Sequence, residues 1–180
     1  SDIYERSGMD DRQKQQALAI IKKSIEEAAD QLIRMRREEG RALADDLLQR
    51  VSEVERITGE IEALSSGRIE EARQRLHERI QQLLGDENYD KDRLELEIAV
   101  LADKMDITEE LVRMASHVNF FREALNGKAA SGRKLNFLMQ EMLRETNTIG
   151  SKASNAEIAH KVVEIKEIIE IIREQIQNLA

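Results

Sequence analysis

An all-α fold is predicted by three features of the 180-residue sequence: it has no proline, charged residues make up 36% of it, and apolar residues recur in steps of three and four over long stretches. Proline kinks or stops helices, so its absence permits long unbroken ones. Aromatic residues are only 3% of the chain, so burial must come from Leu, Ile, Val and Met along helix-to-helix seams rather than from a core of rings. The expected architecture is long coiled-coil-like helices: a helical arm or hairpin over residues 1–85 and a smaller helical C-terminal domain over residues 86–180.

The first helix is expected from about Asp10 to Leu64. Leu18, Ile21, Ile25, Ala28, Leu32 and Met35 form a heptad seam. It is disturbed at Glu39 and Gly40 and resumes through Leu43, Leu47, Val51, Val54, Ile57, Ile61 and Leu64, which favours an inserted stutter over a break. A continuous helix there would be roughly 80 Å long. Ser65, Ser66 and Gly67 supply a turn signal. A second helix follows from Arg68 to Leu84, stopped by Gly85, with Asp86 to Asp90 as a short loop, and a third runs from Asp92 to about Lys104.

Asp106, with Glu109 three residues on, predicts a variant capping box that opens a fourth helix reaching Leu125, ended by Asn126 and Gly127. After a loop from Lys128 to Gly132, a fifth helix is expected from Arg133 to about Asn147, ahead of Gly150. Ser154 with Glu157 predicts a second capping box for the last helix. There Ile158, Val162, Ile165, Ile169, Ile172, Ile176 and Leu179 sustain an uninterrupted seam that needs a partner. The first long helix is the candidate, in cis or from another subunit.

Several functions are disfavoured by composition. No cysteine is present, which removes disulfides, thiolate zinc sites and a cysteine nucleophile. No apolar run approaches the roughly 18–20 residues of a membrane span, so no membrane association and a cytoplasmic location are expected. The chain opens on Ser rather than Met, and further sequence upstream is expected. The GxxxxGK[ST], GxGxxG, HExxH and nucleophile-elbow patterns are absent, leaving nucleotide-fuelled or serine-hydrolase chemistry without support.

A net charge of −8 argues against nucleic acid contact over the whole surface. The charge is uneven, however. Residues 1–90 hold 15 basic and 21 acidic residues, whereas Lys128 to Lys152 holds five basic and two acidic. That stretch could meet phosphates, although charge alone favours an ordinary solvated helix face. Arg133 and Lys134 fall in the first turn of their helix, where the macrodipole favours acids, and a nearby phosphate would offset that mismatch. Glu141 and Glu145 share one helix face, where like charges repel mildly. A divalent cation would relieve them, and so would Arg144 or Arg133. His117, with Arg113 and Glu110 one and two turns before it, suits a metal ligand or a general base; more often such a histidine is half-buried against a backbone carbonyl. His77 and His160 lie on polar faces and take no role.

The string GRKLNFLMQEMLRETNTIGSKASNAEIAHKVVEIKEIIEIIREQIQNLA, Gly132 to Ala180, resembles the C-terminal signature of the YicC-like endoribonuclease family. That pattern runs approximately GR[KR]LDF..QE..RE.NT..SK, then AE, VE.K and a terminal REQ.QN. Upstream, DITEELVRMASHVNFF resembles the family helix bearing EE, R and H, and Arg37 to Gly40 with Asp46 to Leu48 resembles its REGxxLxxDL stretch. The resemblance implies divalent-metal-assisted cleavage of RNA, assembly as a ring-like homo-hexamer, and an N-terminal α/β domain that this sequence does not contain.

The residues the resemblance points to are Gly132, Arg133, Lys134, Gln140, Glu141, Arg144, Glu145, Asn147, Ser151 and Lys152, with Glu109, Glu110, Arg113 and His117. Asn136 departs from the family's usual Asp, and Leu143 from a frequent Asn. Residues and resemblance together make Glu141, Glu145 and His117 the expected catalytic group. The same three with Glu110 are expected to hold Mn²⁺ or Mg²⁺. Arg133, Lys134, Gln140, Arg144, Asn147, Lys152 and Arg113 are expected to bind RNA. A non-catalytic RNA-binding or adaptor protein, and a coiled-coil oligomerisation module, remain open alternatives. The carboxylate pair separates cleavage from plain phosphate binding, which would be better served without it. The polar density of Gln140 to Lys152 disfavours a mere scaffold.

Overall fold

A computed structural model of the chain describes residues 10–84, 90–127 and 132–177, and among these every regular element is helical. The six helices are α1 (Asp11–Ser65), α2 (Arg68–Leu84), α3 (Lys91–Met105), α4 (Thr108–Asn126), α5 (Gly132–Lys152) and α6 (Ala156–Gln177). The all-α expectation holds. So does the stutter, because α1 passes Gly40 without interruption for 55 residues. Gly67 ends the α1–α2 turn at φ +81°, a left-handed conformation that a side chain would strain.

Two compact units divide the chain, Ser1–Leu43 and Ala44–Ala180, and the division falls inside α1. In the first unit α1 opens with reciprocal capping: the Gln13 amide donates to Asp10 Oδ1 at 2.7 Å, and Gln13 Oε1 accepts from the Asp10 amide at 3.1 Å. Its heptad positions Leu18, Ile21, Ile25, Leu32 and Met35 are all exposed.

The second unit buries the rest of that seam. Leu47, Val51, Val54, Ile57 and Ile61 are essentially inaccessible to solvent, each such side chain contributing roughly 1.5–3 kcal/mol relative to exposure. Their stretch of α1 is tied to α4 through Arg122, which donates to Ser52 Oγ at 3.0 Å and Glu55 Oε2 at 2.6 Å. It is tied to α6 through Lys161, which donates to Glu60. The partner expected for the last seam is therefore found in cis, with Ile158, Val162, Ile165, Ile169, Ile172 and Ile176 all buried. Helix α5 lies between α4 and α6 and adds Leu135, Leu138, Met139, Met142 and Ile149 to the same core. Helices α2 and α3 pair through Arg73 and Glu95 at 3.1 Å.

Three expected boundaries shift. Helix α5 continues five residues past Asn147, through Gly150, to Lys152. A Cβ at Gly150 would sit 3.1 Å from Val162 Cγ1, so the glycine is a close-approach point between α5 and α6 rather than a stop. Ser154 is not the cap of α6, since it adopts φ 40°. Asn155 takes that role, its Oδ1 accepting from the amides of Glu157 at 2.8 Å and Ile158 at 3.0 Å. Finally, Asp106 and Glu109 do not form a capping box. Asp106 Oδ1 accepts from Thr108 two residues on, at 2.9 Å from the amide and 2.6 Å from the hydroxyl, and Glu109 turns outward to Arg113. Gly85, the 86–89 loop, Lys128 and Leu179 lie outside the described residues.

Candidate active site

Helices α4 and α5 run antiparallel, as three side-chain pairings along their contact show. Glu110 meets Lys152, Arg113 faces Glu145, and His117 lies with Glu141 and Glu145, so numbers rise on one helix as they fall on the other. Glu110 and His117 are seven residues apart, two helical turns, and so are Glu145 and Lys152; both pairs therefore recur on the contact stripe. The helix periodicity that builds the core thus also sets a polar ladder along one edge of it.

At one end of that ladder, one donor atom from each of His117, Glu141 and Glu145 lies within 4.8 Å of the others. Glu145 is 3% exposed, while His117 and Glu141 are half-buried. Glu145's nearest cation is Arg113, whose Nη1 stands 3.7 Å from Oε1 while Nη2 donates to Glu109. Glu141 has Arg144 at 3.7 Å. His117 Nδ1 is buried without a hydrogen-bond partner, so the commoner arrangement, in which that nitrogen is satisfied by a backbone carbonyl, is not adopted. An imidazole and two carboxylates are donors that suit Mn²⁺, and carboxylates also suit Mg²⁺. The unsatisfied nitrogen and the weakly countered buried carboxylate both fit a cation.

The other end is closed. The Lys152 ammonium donates to Glu110 Oε1 at 2.8 Å and to the Asp106 carbonyl at 2.9 Å. That bond to the Glu110 carboxylate, with the charges of Glu110, Asp106 and Glu109 adding to it, raises the lysine pKa above its ordinary value. Asp106 in turn is held below the usual carboxylate range by its bonds from the Thr108 side chain and amide, with Lys152 adding charge attraction. Glu110, expected among the metal ligands, is therefore outside the donor group and serves Lys152 instead. Lys152, expected at the RNA, is committed to Glu110 for the same reason: a carboxylate only 6% exposed needs a cation.

Of the other expected RNA-binding residues, Arg133, Lys134, Gln140, Arg144 and Asn147 are exposed on α5. Arg133 and Lys134 enter no ion pair among the described residues. Arg113 is half-engaged by Glu109 and Glu145. Asn136 and Leu143 are half-buried and outside the donor group. Sequence reading passed over Phe120 and Phe137, exposed by 51% and 57%. Apolar periodicity gives no sign of them, because they fall off the buried stripe.

Residues 61–180, which include both ends of the ladder, match the family described as endoribonuclease YicC-like, C-terminal. A protein named probable endoribonuclease YicC from Clostridioides difficile is 44% identical over 162 residues, 89% of this chain and 55% of the relative. One of the same name from Haemophilus influenzae is 36% identical over 182 residues, 99% of this chain and 63% of the relative. The chain thus spans somewhat over half the length of these relatives. With two thirds of its residues matched by the family model, the chain belongs to the YicC-like family.

Proposed function

We propose that this chain carries the cleavage site of an endoribonuclease that cuts RNA phosphodiester bonds with the help of a divalent cation, Mn²⁺ or Mg²⁺, held by His117, Glu141 and Glu145. The convergence of those three donors within 4.8 Å, from two helices, is the observation that carries the reading. The names of the similar proteins support the reaction class.

A cation held there would supply Lewis-acid stabilisation at the phosphodiester and activation of water. The chain's own residues then divide the remaining work. Glu145, buried in the wall between α4 and α5, fixes one donor in place because its surroundings leave little rotamer freedom. Glu141 and His117, half-buried, present theirs to solvent. Arg133, Lys134 and Arg144 position phosphates by charge, Arg144 with a fork that can pair two phosphate oxygens, while Gln140 and Asn147 offer neutral hydrogen bonds beside them. Arg113, already beside Glu145, is placed to meet a phosphate approaching the same carboxylates.

The partners expected with this function are RNA and further copies of the chain, in a homo-hexamer. The exposed heptad stripe of residues 18–35 supports an assembly, since apolar residues at that spacing gain from a second helix. No described helix is long and apolar enough to cross a membrane.

The test is cleavage of a labelled single-stranded RNA by the full-length protein, with Mn²⁺ and with chelator. Glu141→Gln and Glu145→Gln are each expected to lower metal-dependent cleavage about 100-fold or more. They are also expected to abolish the rise in melting temperature that Mn²⁺ gives the parent protein by binding its folded state. Undiminished metal-dependent cleavage by both variants would sink the assignment. Bound but intact RNA with and without metal would favour a non-catalytic RNA-binding protein.

A further inference from the structure

We propose that Phe120 and Phe137 form a stacking platform for unpaired bases, which makes the substrate strand single-stranded where it crosses the site. The inference rests on the reading above that RNA meets the donor group carried by α4 and α5. The chain has three phenylalanines. Phe121 is fully buried in the core, as a large apolar ring ordinarily is, but Phe120 and Phe137 are 51% and 57% exposed.

Their positions are specific. Phe120 is one turn beyond His117 on α4, and Phe137 is one turn before Glu141 on α5. Because the helices are antiparallel, both displacements run in the same direction from the donor group. The two residues therefore lie on the same side of the donor group, each about one helical turn, 5.4 Å, along its helix from His117 or Glu141. Beyond them, Arg133 and Lys134 begin α5, one turn before Phe137, and neither cation is paired among the described residues. Lys134, Phe137, Glu141 and Arg144 follow steps of three and four, a single stripe on α5.

Cations for phosphates interleaved with exposed rings are what a single strand requires. A paired base has both faces covered by its neighbours, whereas an unpaired one offers a π-face that a phenyl ring can cover. A phenyl ring has no donor or acceptor, so the platform would favour unpaired bases without selecting a sequence. Among the described residues, the end where Lys152 is held by Glu110 has no such ring, since the remaining aromatic side chain, Phe121, is buried.

Binding of a fluorescent single-stranded oligoribonucleotide to the full-length protein, in chelator, tests this. Phe120→Leu and Phe137→Leu keep an apolar side chain and remove the π-face. Each is expected to weaken binding about 5- to 100-fold, and Phe137→Trp to restore it. On an oligonucleotide of equal length with abasic sugars, the same leucine variants should differ from the parent by about twofold at most, since a coupling disappears when one partner is absent. Equal losses on both oligonucleotides, or unchanged RNA binding accompanied by altered sedimentation, would overturn the platform and assign the rings to a protein contact. A parent protein that binds no single-stranded RNA would overturn both readings. Intact stacking effects with metal-independent cleavage would overturn only the metal assignment.

Discussion

The two ends of the polar ladder between α4 and α5 use nearly the same ingredients and treat them differently. At one end a carboxylate 6% exposed, Glu110, meets an ammonium at 2.8 Å, and the ammonium is further satisfied by a backbone carbonyl. At the other, a carboxylate 3% exposed, Glu145, has its nearest cation at 3.7 Å, a second carboxylate close by, and a histidine with an unsatisfied nitrogen. A buried charge is tolerated cheaply only when it is paired and hydrogen-bonded. Each end leaves one buried atom without a hydrogen-bond partner, Glu110 Oε2 and His117 Nδ1, but only the first sets a close cation against its buried carboxylate. An imbalance of this kind is expected where binding rather than stability sets the residues.

Stability measurements can break that contrast. Lys152→Ala would leave Glu110 buried without its cation, and the full-length protein is expected to lose about 1–3 kcal/mol in chemical denaturation. Glu145→Gln should do the reverse in the absence of metal. It removes a weakly countered buried charge while keeping the shape, so stability should stay within about 0.5 kcal/mol of the parent or rise. If Lys152→Ala proved neutral and Glu145→Gln cost several kcal/mol, the two ends would have been assigned the wrong way round.

The same contrast explains what could be read in the sequence. Helix existence was legible throughout, because seams such as Ile158 to Ile176 and Leu47 to Ile61 carry their period over many turns. Ends were less so. Gly150 reads as a stop locally, and only the approach of Val162 explains why α5 continues through it. Asn155 rather than Ser154 caps α6 because capping depends on backbone angles that neighbouring residue types do not fix. Within the site, Glu141 and Glu145 were legible as a repelling pair on one face, and His117 as a polar residue beside an apolar stripe. Glu110 could not be separated from them, since it recurs on His117's stripe two turns away. Its commitment to Lys152, 42 residues along the chain, depends on the register of two helices. Phe120 and Phe137 were invisible for a related reason: exposure is a property of the assembled bundle, not of a residue's neighbours.

The smallest expected effect is the pH dependence of the closed end, and its sign follows from the two displaced groups. Lys152 is raised above the ordinary lysine value of 10.5 by its bond to Glu110, so its contribution is complete below that value and is lost as pH rises through the raised one. Asp106 is lowered from the ordinary 3.8 by its bonds from Thr108, so its contribution is complete above 3.8 and is lost as pH falls through the lowered one. The stability difference between the parent and Lys152→Ala should therefore be flat from about pH 5 to 9 and shrink in stronger alkali, while the difference from Asp106→Asn shrinks only in acid. Both changes should be modest, because Asp106 and the Lys152 ammonium keep contact with solvent that screens them. Denaturation midpoints across that range would check it. An alkaline loss undiminished in Lys152→Ala would mean that another group carries the dependence, and that the closed end is held by shape rather than by charge.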